Sequence, residues 1–130
     1  MDGMTAHPGI NGIAQVALGV RDLGRATAFY RDVLGLKMLF EAPGMAFFDA
    51  GGVRLLLGDP SAGGTPGGGT IVYFAVPDVR PAAEALGRRG AAVRQEPHCV
   101  AKTAEREVWV AFLEDPEGNT FALLSEASAG

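Results

Sequence analysis

The chain has 130 residues, of which 48% are hydrophobic and 20% charged, a composition typical of a single globular domain. Its net charge of −4 and pI near 5.1 argue against nucleic acid as a partner, because phosphate binding requires a clustered basic face. No apolar run approaches the ~18 residues of a membrane span, no signal-peptide pattern is visible and Cys99 is the only cysteine, so we expect a cytoplasmic protein that does not bind membranes.

The first nine residues are polar and aperiodic, which predicts a flexible tail (residues 1–9) before a domain that covers residues 10–126. Within that domain the same order of predicted elements occurs twice. We place a first module at residues 12–58 and a second at residues 70–126. Residues 58–69 contain six glycines and two prolines, which predicts a flexible linker without helix or strand.

The first module begins with a strand and a helix. Apolar residues alternate from residue 13, so that Gln15, Ala17 and Gly19 share one side of the strand. Asp22 is typical of a helix N-cap and Gly35 of a helix end, with apolar residues at helical spacing between them. Three further strands follow, separated by Pro-Gly and Gly-Gly turns: Leu36–Glu41, Met45–Ala50 and Val53–Gly58.

The second module repeats this order, because Val-Pro-Asp-Val at residues 76–79 echoes Val-Arg-Asp-Leu at residues 20–23. We predict a strand, a helix and three strands, at Thr70–Val76, Ala82–Arg89, Ala91–Glu96, Glu107–Leu113 and Asn119–Ser125. Each copy alone would expose one side of its sheet. The predicted fold is therefore α+β, with two βαβββ modules that form a curved mixed sheet around a concave cavity.

Two stretches of the chain resemble one protein family. VRDLGRATAFYRDVLGLKM (residues 20–38) is similar to the first helix of the vicinal oxygen chelate superfamily, and EDPEGNTFALL (residues 114–124) to the turn before its last strand. This superfamily includes glyoxalase I, extradiol dioxygenases and bleomycin-binding proteins. The resemblance implies the glyoxalase/bleomycin resistance fold over roughly residues 10–126. We interpret the turn itself as a hairpin device, in which Asp115 accepts from backbone amides and Gly118 adopts a left-handed conformation.

The resemblance also implies where a metal would be bound. In metal-dependent members, each of four strands offers one ligand to the cavity, and the matching positions here are Gln15, Leu56, Ile71 and Ala122. One neutral amide oxygen does not supply the anionic or imidazole donors that divalent cations require. We therefore predict no metal and no other cofactor. Motifs of other catalytic sites and of phosphate-binding loops are also missing from the sequence.

Strand alternation places Arg54 and Tyr73 beside two of these positions, which adds polar groups to an apolar cavity of the kind that binds small molecules. Because a buried guanidinium without a partner is costly, Arg54 either reaches solvent, pairs with an acid or binds an anionic ligand. Trp109, Phe47 and Phe48 lie on other predicted strands. Each of them either offers a flat stacking surface or packs in the core.

His98 follows Pro97 and precedes Cys99, which predicts an irregular loop between the sixth and seventh strands. Glu105 and Glu107 are close in sequence, but the spacing matches no zinc pattern. His98 is then either a solvated loop residue or part of the cavity rim. His7, in the tail, receives no role.

The first functional hypothesis is a metal-free homodimeric protein, similar to the bleomycin resistance branch, that binds a small hydrophobic or aromatic ligand. Its candidate ligand-binding residues are Gln15, Arg54, Leu56, Ile71, Tyr73, His98, Trp109 and Ala122. The alternative is a glyoxalase-like lyase, epimerase or dioxygenase with a degenerate site, in which Tyr73, His98 or Glu105 acts as acid or base. A third hypothesis is a dimeric domain whose own side chains fill the cavity.

Overall fold

The computed structural model describes residues 7–128. The first half contains β1 (Gln15–Gly19), α1 (Leu23–Ala28) continued by a π-helix (Phe29–Val33), β2 (Lys37–Ala42), β3 (Met45–Ala50) and β4 (Val53–Gly58). The second half contains a 3-10 turn (Pro60–Ala62), β5 (Val72–Ala75), α2 (Val79–Arg88), β6 (Ala92–Lys102), β7 (Arg106–Glu114) and β8 (Thr120–Ser128). The two sheets have the equivalent orders β1-β4-β3-β2 and β5-β8-β7-β6, which confirms the predicted fold of two βαβββ modules.

Each module pairs its first strand with its last in parallel, and the other pairs are antiparallel. In the first sheet Gln15 lies opposite Arg54, and in the second Tyr73 lies opposite Ala122. Parallel strands require a crossover connection, and α1 and α2 form part of the crossovers in the two modules. None of the helices in residues 7–128 has the length and apolar character needed to cross a membrane.

The local signals of the first module act as predicted. The Asp22 carboxylate accepts from the Arg25 amide at 3.0 Å and caps α1. The helix widens at its end, where the Leu34 amide donates to the Phe29 carbonyl at 3.0 Å, and it stops at Gly35 with φ of +76°. The predicted bounds of β3 and β4 are those of the structure.

Two predictions about loops were wrong. The linker was expected to lack helix, but Asp59 accepts from the Ser61 amide at 2.9 Å and caps the 3-10 turn. The segment around His98 was expected to be a loop, but β6 runs through it, and His98 pairs with Val110. A proline fits there because β6 is an edge strand, whose outer N–H groups need no partner.

Residues 1–6 of the predicted tail lie outside the described residues, and residues 7–9 contain no helix or strand.

Both modules contribute to one hydrophobic core, which lies between the helices and one face of each sheet. Phe29 links the two halves, since its ring centroid lies 5.4 Å from that of Tyr30 and 6.0 Å from that of Phe121. The fully buried large side chains of this core are Tyr30, Phe48, Phe121, Leu55, Leu57, Leu113, Val20 and Val79. Burial of this kind stabilises the fold by about 1.5–3 kcal/mol for each large apolar side chain.

The Asp-Pro-Glu-Gly-Asn turn forms the hairpin that was predicted. Asp115 Oδ1 accepts from the Glu117 amide at 2.9 Å and from the Asn119 amide at 2.8 Å. The Gly118 amide donates to the Asp115 carbonyl at 3.1 Å, and Gly118 has φ of +83°. The turn therefore fixes the register of β7 with β8.

The same turn also joins the two modules, which the sequence did not indicate. We call Asp115, Glu117 and Asn119 the inter-module clasp. Tyr30 Oη donates to Asp115 Oδ2 at 2.8 Å, and Asn119 Nδ2 donates to the Gly19 carbonyl at 3.2 Å. Burial, followed by the nearby Asp115 carboxylate, raises the pKa of Tyr30 well above its usual range, so the phenol stays a donor.

Glu117 is the clasp residue that bonds near the start of α1. Its carboxylate accepts from the Arg21 amide at 2.5 Å and from Arg25 Nε at 3.0 Å, close to the N-terminus of α1. Its side chain is fully buried, whereas that of Arg25 is about half exposed. Burial raises the pKa of Glu117, but the hydrogen bonds from Arg21 and Arg25 outweigh it, so the pKa lies below its ordinary value.

Thr27 on α1 has a buried hydroxyl with no hydrogen-bond partner among residues 7–128. We expect Thr27→Val to raise the free energy of unfolding by about 1 kcal/mol, because it removes an unsatisfied polar group at similar shape. The melting temperature should rise by about 4 °C, measured by calorimetry. Thr27→Ser keeps the hydroxyl and loses the methyl group, so it should lower the melting temperature. A lower melting temperature for Thr27→Val would contradict this account.

Candidate functional site

Each sheet has one face packed on the helices and one face turned away from them. In the first sheet, residues such as Leu18, Leu55 and Phe48 point to the core. The alternate residues form what we call the helix-free face of the first sheet: Gln15, Ala17, Arg54, Leu56, Phe47 and Phe40. This face contains two of the four positions at which the resemblance implied metal ligands.

Arg54 is the most connected polar residue of this face. Its Nε donates to Gln15 Oε1 at 3.0 Å, across the parallel pair of β1 and β4. The guanidinium carbon lies 5.4 Å from the ring centroid of Phe47 and 5.7 Å from that of Phe40. These two rings stack with centroids 4.2 Å apart and an angle of 21°. Arg54 is thus held by an amide oxygen and two aromatic rings, and it forms no salt bridge with residues 7–128.

A cavity of about 270 Å³ adjoins this cluster at the far end of β1 and β4. Ala17 and Leu56 line it from the two strands, and residues of the Gly-rich linker also line it. The close approach depends on Gly19, because a Cβ atom there would overlap the backbone of Thr65. The remaining lining residues come from the strand ends, the linker and the clasp: Leu18, Gly19, Gly58, Ala62, Gly63, Gly64, Thr65, Gly68, Thr70 and Asn119.

The donor set at the family metal positions does not fit a divalent cation. Gln15 offers one amide oxygen, and this oxygen already accepts from Arg54, a cation. Leu56, Ile71 and Ala122 offer only hydrocarbon. Within residues 7–128, no three His, Cys, Asp or Glu side chains lie together in a way that would hold a metal ion.

Three predicted residues lie on the helix-free face of the second sheet. Tyr73 and Ala122 are register partners, and His98 lies opposite Val110 on the same face. Phe112 lies among them, with its centroid 6.0 Å from Tyr73 and 6.4 Å from His98. His98 Nδ1 lies 2.7 Å from the Glu96 carbonyl, so it donates there and leaves Nε2 as the available ring nitrogen.

Trp109 does not lie on either helix-free face, which corrects its expected place in the site. It pairs with Ser125 on the side of the second sheet that carries α2, and its ring lies under the Arg80 guanidinium at 5.4 Å. Its indole Nε1 donates to Glu107 at 3.0 Å. Ile71 lies one residue before β5, is 43% exposed and does not line the cavity that Leu56 lines.

A broader groove of about 760 Å³ lies between α2 and β6. Its charged residues include Arg80, Glu84 and Arg88, which pair locally, as Arg88 does with Glu84 at 3.5 Å. None of the predicted site residues lines this groove. The helix-free face of the first sheet is therefore the better candidate site.

Phe40 and Phe112 belong to the two aromatic clusters, and neither was among the predicted site residues. A bulge between Met38 and Phe40 shifts the register of β2, so that Phe40 instead of Leu39 lies opposite Phe47. Nothing in the sequence announces this bulge. Phe112 was predictable, because the turn at residues 115–119 places it opposite Ala122.

Comparison with known proteins connects the chain to the predicted superfamily. Residues 12–123 match the Glyoxalase/Bleomycin resistance protein/Dioxygenase superfamily. A lactoylglutathione lyase from Agrobacterium tumefaciens is 29% identical in sequence, with a TM-score of 0.74 over 88% of this chain and 92% of that chain. A superfamily member from Sphaerobacter thermophilus shares the fold at 23% identity, with a TM-score of 0.74 over 89% of this chain and 98% of its own.

A shorter stretch of the chain is similar to a second kind of protein. Metallothiol transferase FosB from Staphylococcus haemolyticus is 36% identical over 50 residues, which span 38% of this chain and 36% of that protein. FosB from Staphylococcus epidermidis matches over the same shares. The chain thus matches about a third of the length of these curated relatives. The family match over most of the chain agrees with the two βαβββ modules, and the chain belongs to the Glyoxalase/Bleomycin resistance protein/Dioxygenase superfamily.

Proposed function

We propose that this protein is a cytoplasmic, metal-independent small-molecule binding protein of the bleomycin resistance type, with its site on the helix-free face of the first sheet. The observation that carries the proposal is the cluster of Arg54, Gln15, Phe40 and Phe47 beside a cavity of about 270 Å³. Apolar walls with a few placed polar groups are typical of small-molecule sites. Stacked rings favour a planar, aromatic ligand.

Isothermal titration of chelator-treated protein with bicyclic aromatic probes, 2-naphthoate and 2-naphthamide, tests this proposal. We expect binding with a dissociation constant below about 1 mM, equivalent to about −4 kcal/mol. Phe40→Ala should weaken it, because this ring is 47% exposed beside Arg54, whereas Phe112→Ala on the second sheet should leave it unchanged. Absence of heat with both probes would contradict the proposal.

We further propose that the protein is a homodimer. Several large apolar side chains outside the Arg54 cluster lie exposed on or beside strands of both sheets: Leu39 at 42%, Ile71 at 43% and Tyr73 at 50%. A second copy of the chain would cover them. Light scattering after gel filtration should give twice the chain mass of 13.5 kDa. A mass of one chain at all concentrations would contradict the dimer.

The alternative is a glyoxalase-like enzyme, and the similarity to a lactoylglutathione lyase over 88% of the chain favours it. The hydrocarbon side chains at three metal positions oppose it. Elemental analysis of protein purified without chelators, together with an assay for lactoylglutathione cleavage, separates the two proposals. Stoichiometric metal together with turnover would show that the protein is an enzyme and would overturn the proposed binding function. We expect no stoichiometric metal and no turnover.

A further inference from the structure

We propose that the ligand of this site carries an anionic group, a carboxylate or a chemically similar oxyanion, which Arg54 binds through its two Nη atoms. This inference rests on the proposed function and specifies the class of ligand. The ligand would place its charge at Arg54 and its planar body along the first sheet, towards the cavity.

Most hydrogen-bond donors of the Arg54 guanidinium are unused. A guanidinium carries five N–H groups, and Gln15 Oε1 takes the one on Nε at 3.0 Å. The Nη groups have no acceptor among residues 7–128. Asp49 lies opposite Arg54 across β3 and β4, but its carboxylate accepts from the Gly52 amide at 3.0 Å in the neighbouring turn. The end of the guanidinium that matches a carboxylate in a bidentate pair is therefore open.

The guanidinium is also held in place before any ligand arrives. Gln15 fixes its Nε edge, and the rings of Phe40 and Phe47 lie 5.7 and 5.4 Å from its carbon atom. A restrained arginine loses less rotamer entropy when it binds an anion than a free one does. The Phe40 ring, which is 47% exposed, offers apolar surface next to the charge, and this combination suits an aromatic acid.

The site continues from Arg54 along β4 towards the cavity. Leu56 lies two residues after Arg54 on β4, about 7 Å along the strand, and it lines the cavity of about 270 Å³. A ligand that extends from Arg54 over Leu56 reaches this cavity, whose lining is more apolar than polar. This arrangement predicts an anionic end and an apolar end on one small molecule.

The test compares an acid with its neutral isostere. In calorimetric titrations of the full chain, 2-naphthoate should bind at least tenfold more tightly than 2-naphthamide. Arg54→Gln should abolish this preference, because 2-naphthoate loses its ionic partner and should bind no more tightly than 2-naphthamide. Arg94→Gln is the matched control, because Arg94 is also an exposed strand arginine, paired with Glu114 at 2.9 Å on the second sheet. It should keep the preference.

The outcomes separate the inference from the function on which it rests. Equal affinity of the wild-type protein for acid and amide, or a preference that survives Arg54→Gln, would overturn the anion site and leave the binding function standing. No binding of either probe would overturn both. A melting curve for each variant checks that it is folded, so that a loss of binding in Arg54→Gln is not a loss of structure.

Discussion

Replacing Glu117 with alanine is expected to lower the free energy of unfolding by about 2–3 kcal/mol. The carboxylate is fully buried, and it accepts from the amides of Arg21 and Asp22 and from the Arg25 side chain. Its loss leaves two backbone N–H groups near the start of α1 without an acceptor and removes a contact between the modules. Chemical denaturation at pH 7 measures the effect.

Glu126→Ala is the control for this prediction, because Glu126 pairs with Arg106 at 3.3 Å on the surface. Its stability should stay close to that of the wild-type protein. A loss in Glu117→Ala no larger than that in Glu126→Ala would show that the clasp does not join the modules.

The same residue predicts a pH dependence with a defined sign. The pKa of Glu117 is lowered in the folded protein. Its stabilising effect is therefore complete above the ordinary glutamate pKa of about 4.3, and it is lost as the pH falls through the pKa of the folded protein. The difference in unfolding free energy between the wild-type protein and Glu117→Gln should therefore shrink below about pH 4. A difference that stays constant from pH 7 to pH 3 would contradict the lowered pKa.

The second large effect is expected for Asp115→Ala, which should lower the free energy of unfolding by about 3 kcal/mol. Its two buried oxygens accept from Tyr30 Oη at 2.8 Å, from Asn119 Nδ2 at 3.2 Å and from the amides of Glu117 and Asn119. Removal of the carboxylate leaves these donors unsatisfied in the core. Tyr30→Phe removes only one donor, so it should lower the free energy of unfolding by about 1 kcal/mol.

A double-mutant cycle isolates the link between the modules from the hairpin bonds. Because Tyr30 and Asp115 bond directly, the loss in the double variant should be about 1 kcal/mol smaller than the sum of the single losses. Additive losses would mean that the phenol and the carboxylate do not interact, and that Asp115 acts on its own hairpin alone.

Local signals were enough to predict most of the fold. Asp22 and Asp78 mark helix starts because their carboxylates cap free amides, and glycine pairs mark turns because they allow positive φ. β6 was predicted too short because proline usually ends a strand. Its edge position removes this penalty, and edge position is a property of the assembled sheet that local sequence does not contain.

The candidate site was predictable only where strand alternation is regular. Gln15, Arg54 and Leu56 lie on one face as expected, since β1 and β4 pair without a bulge. Phe40 was missed because of the bulge in β2. The role of Glu117 in the clasp was missed because its partners are 92 to 96 residues away in the chain, and no local pattern specifies such contacts.

The most direct test of the central claim is a ¹H–¹⁵N NMR titration of the chelator-treated protein with 2-naphthoate. The amide shifts should concentrate around Gln15, Phe47, Arg54 and Leu56, on the first sheet and beside the cavity. Added zinc or nickel should leave these shifts unchanged. Shifts that concentrate in the groove between α2 and β6, or binding that appears only after a metal is added, would contradict a metal-independent site on the first sheet.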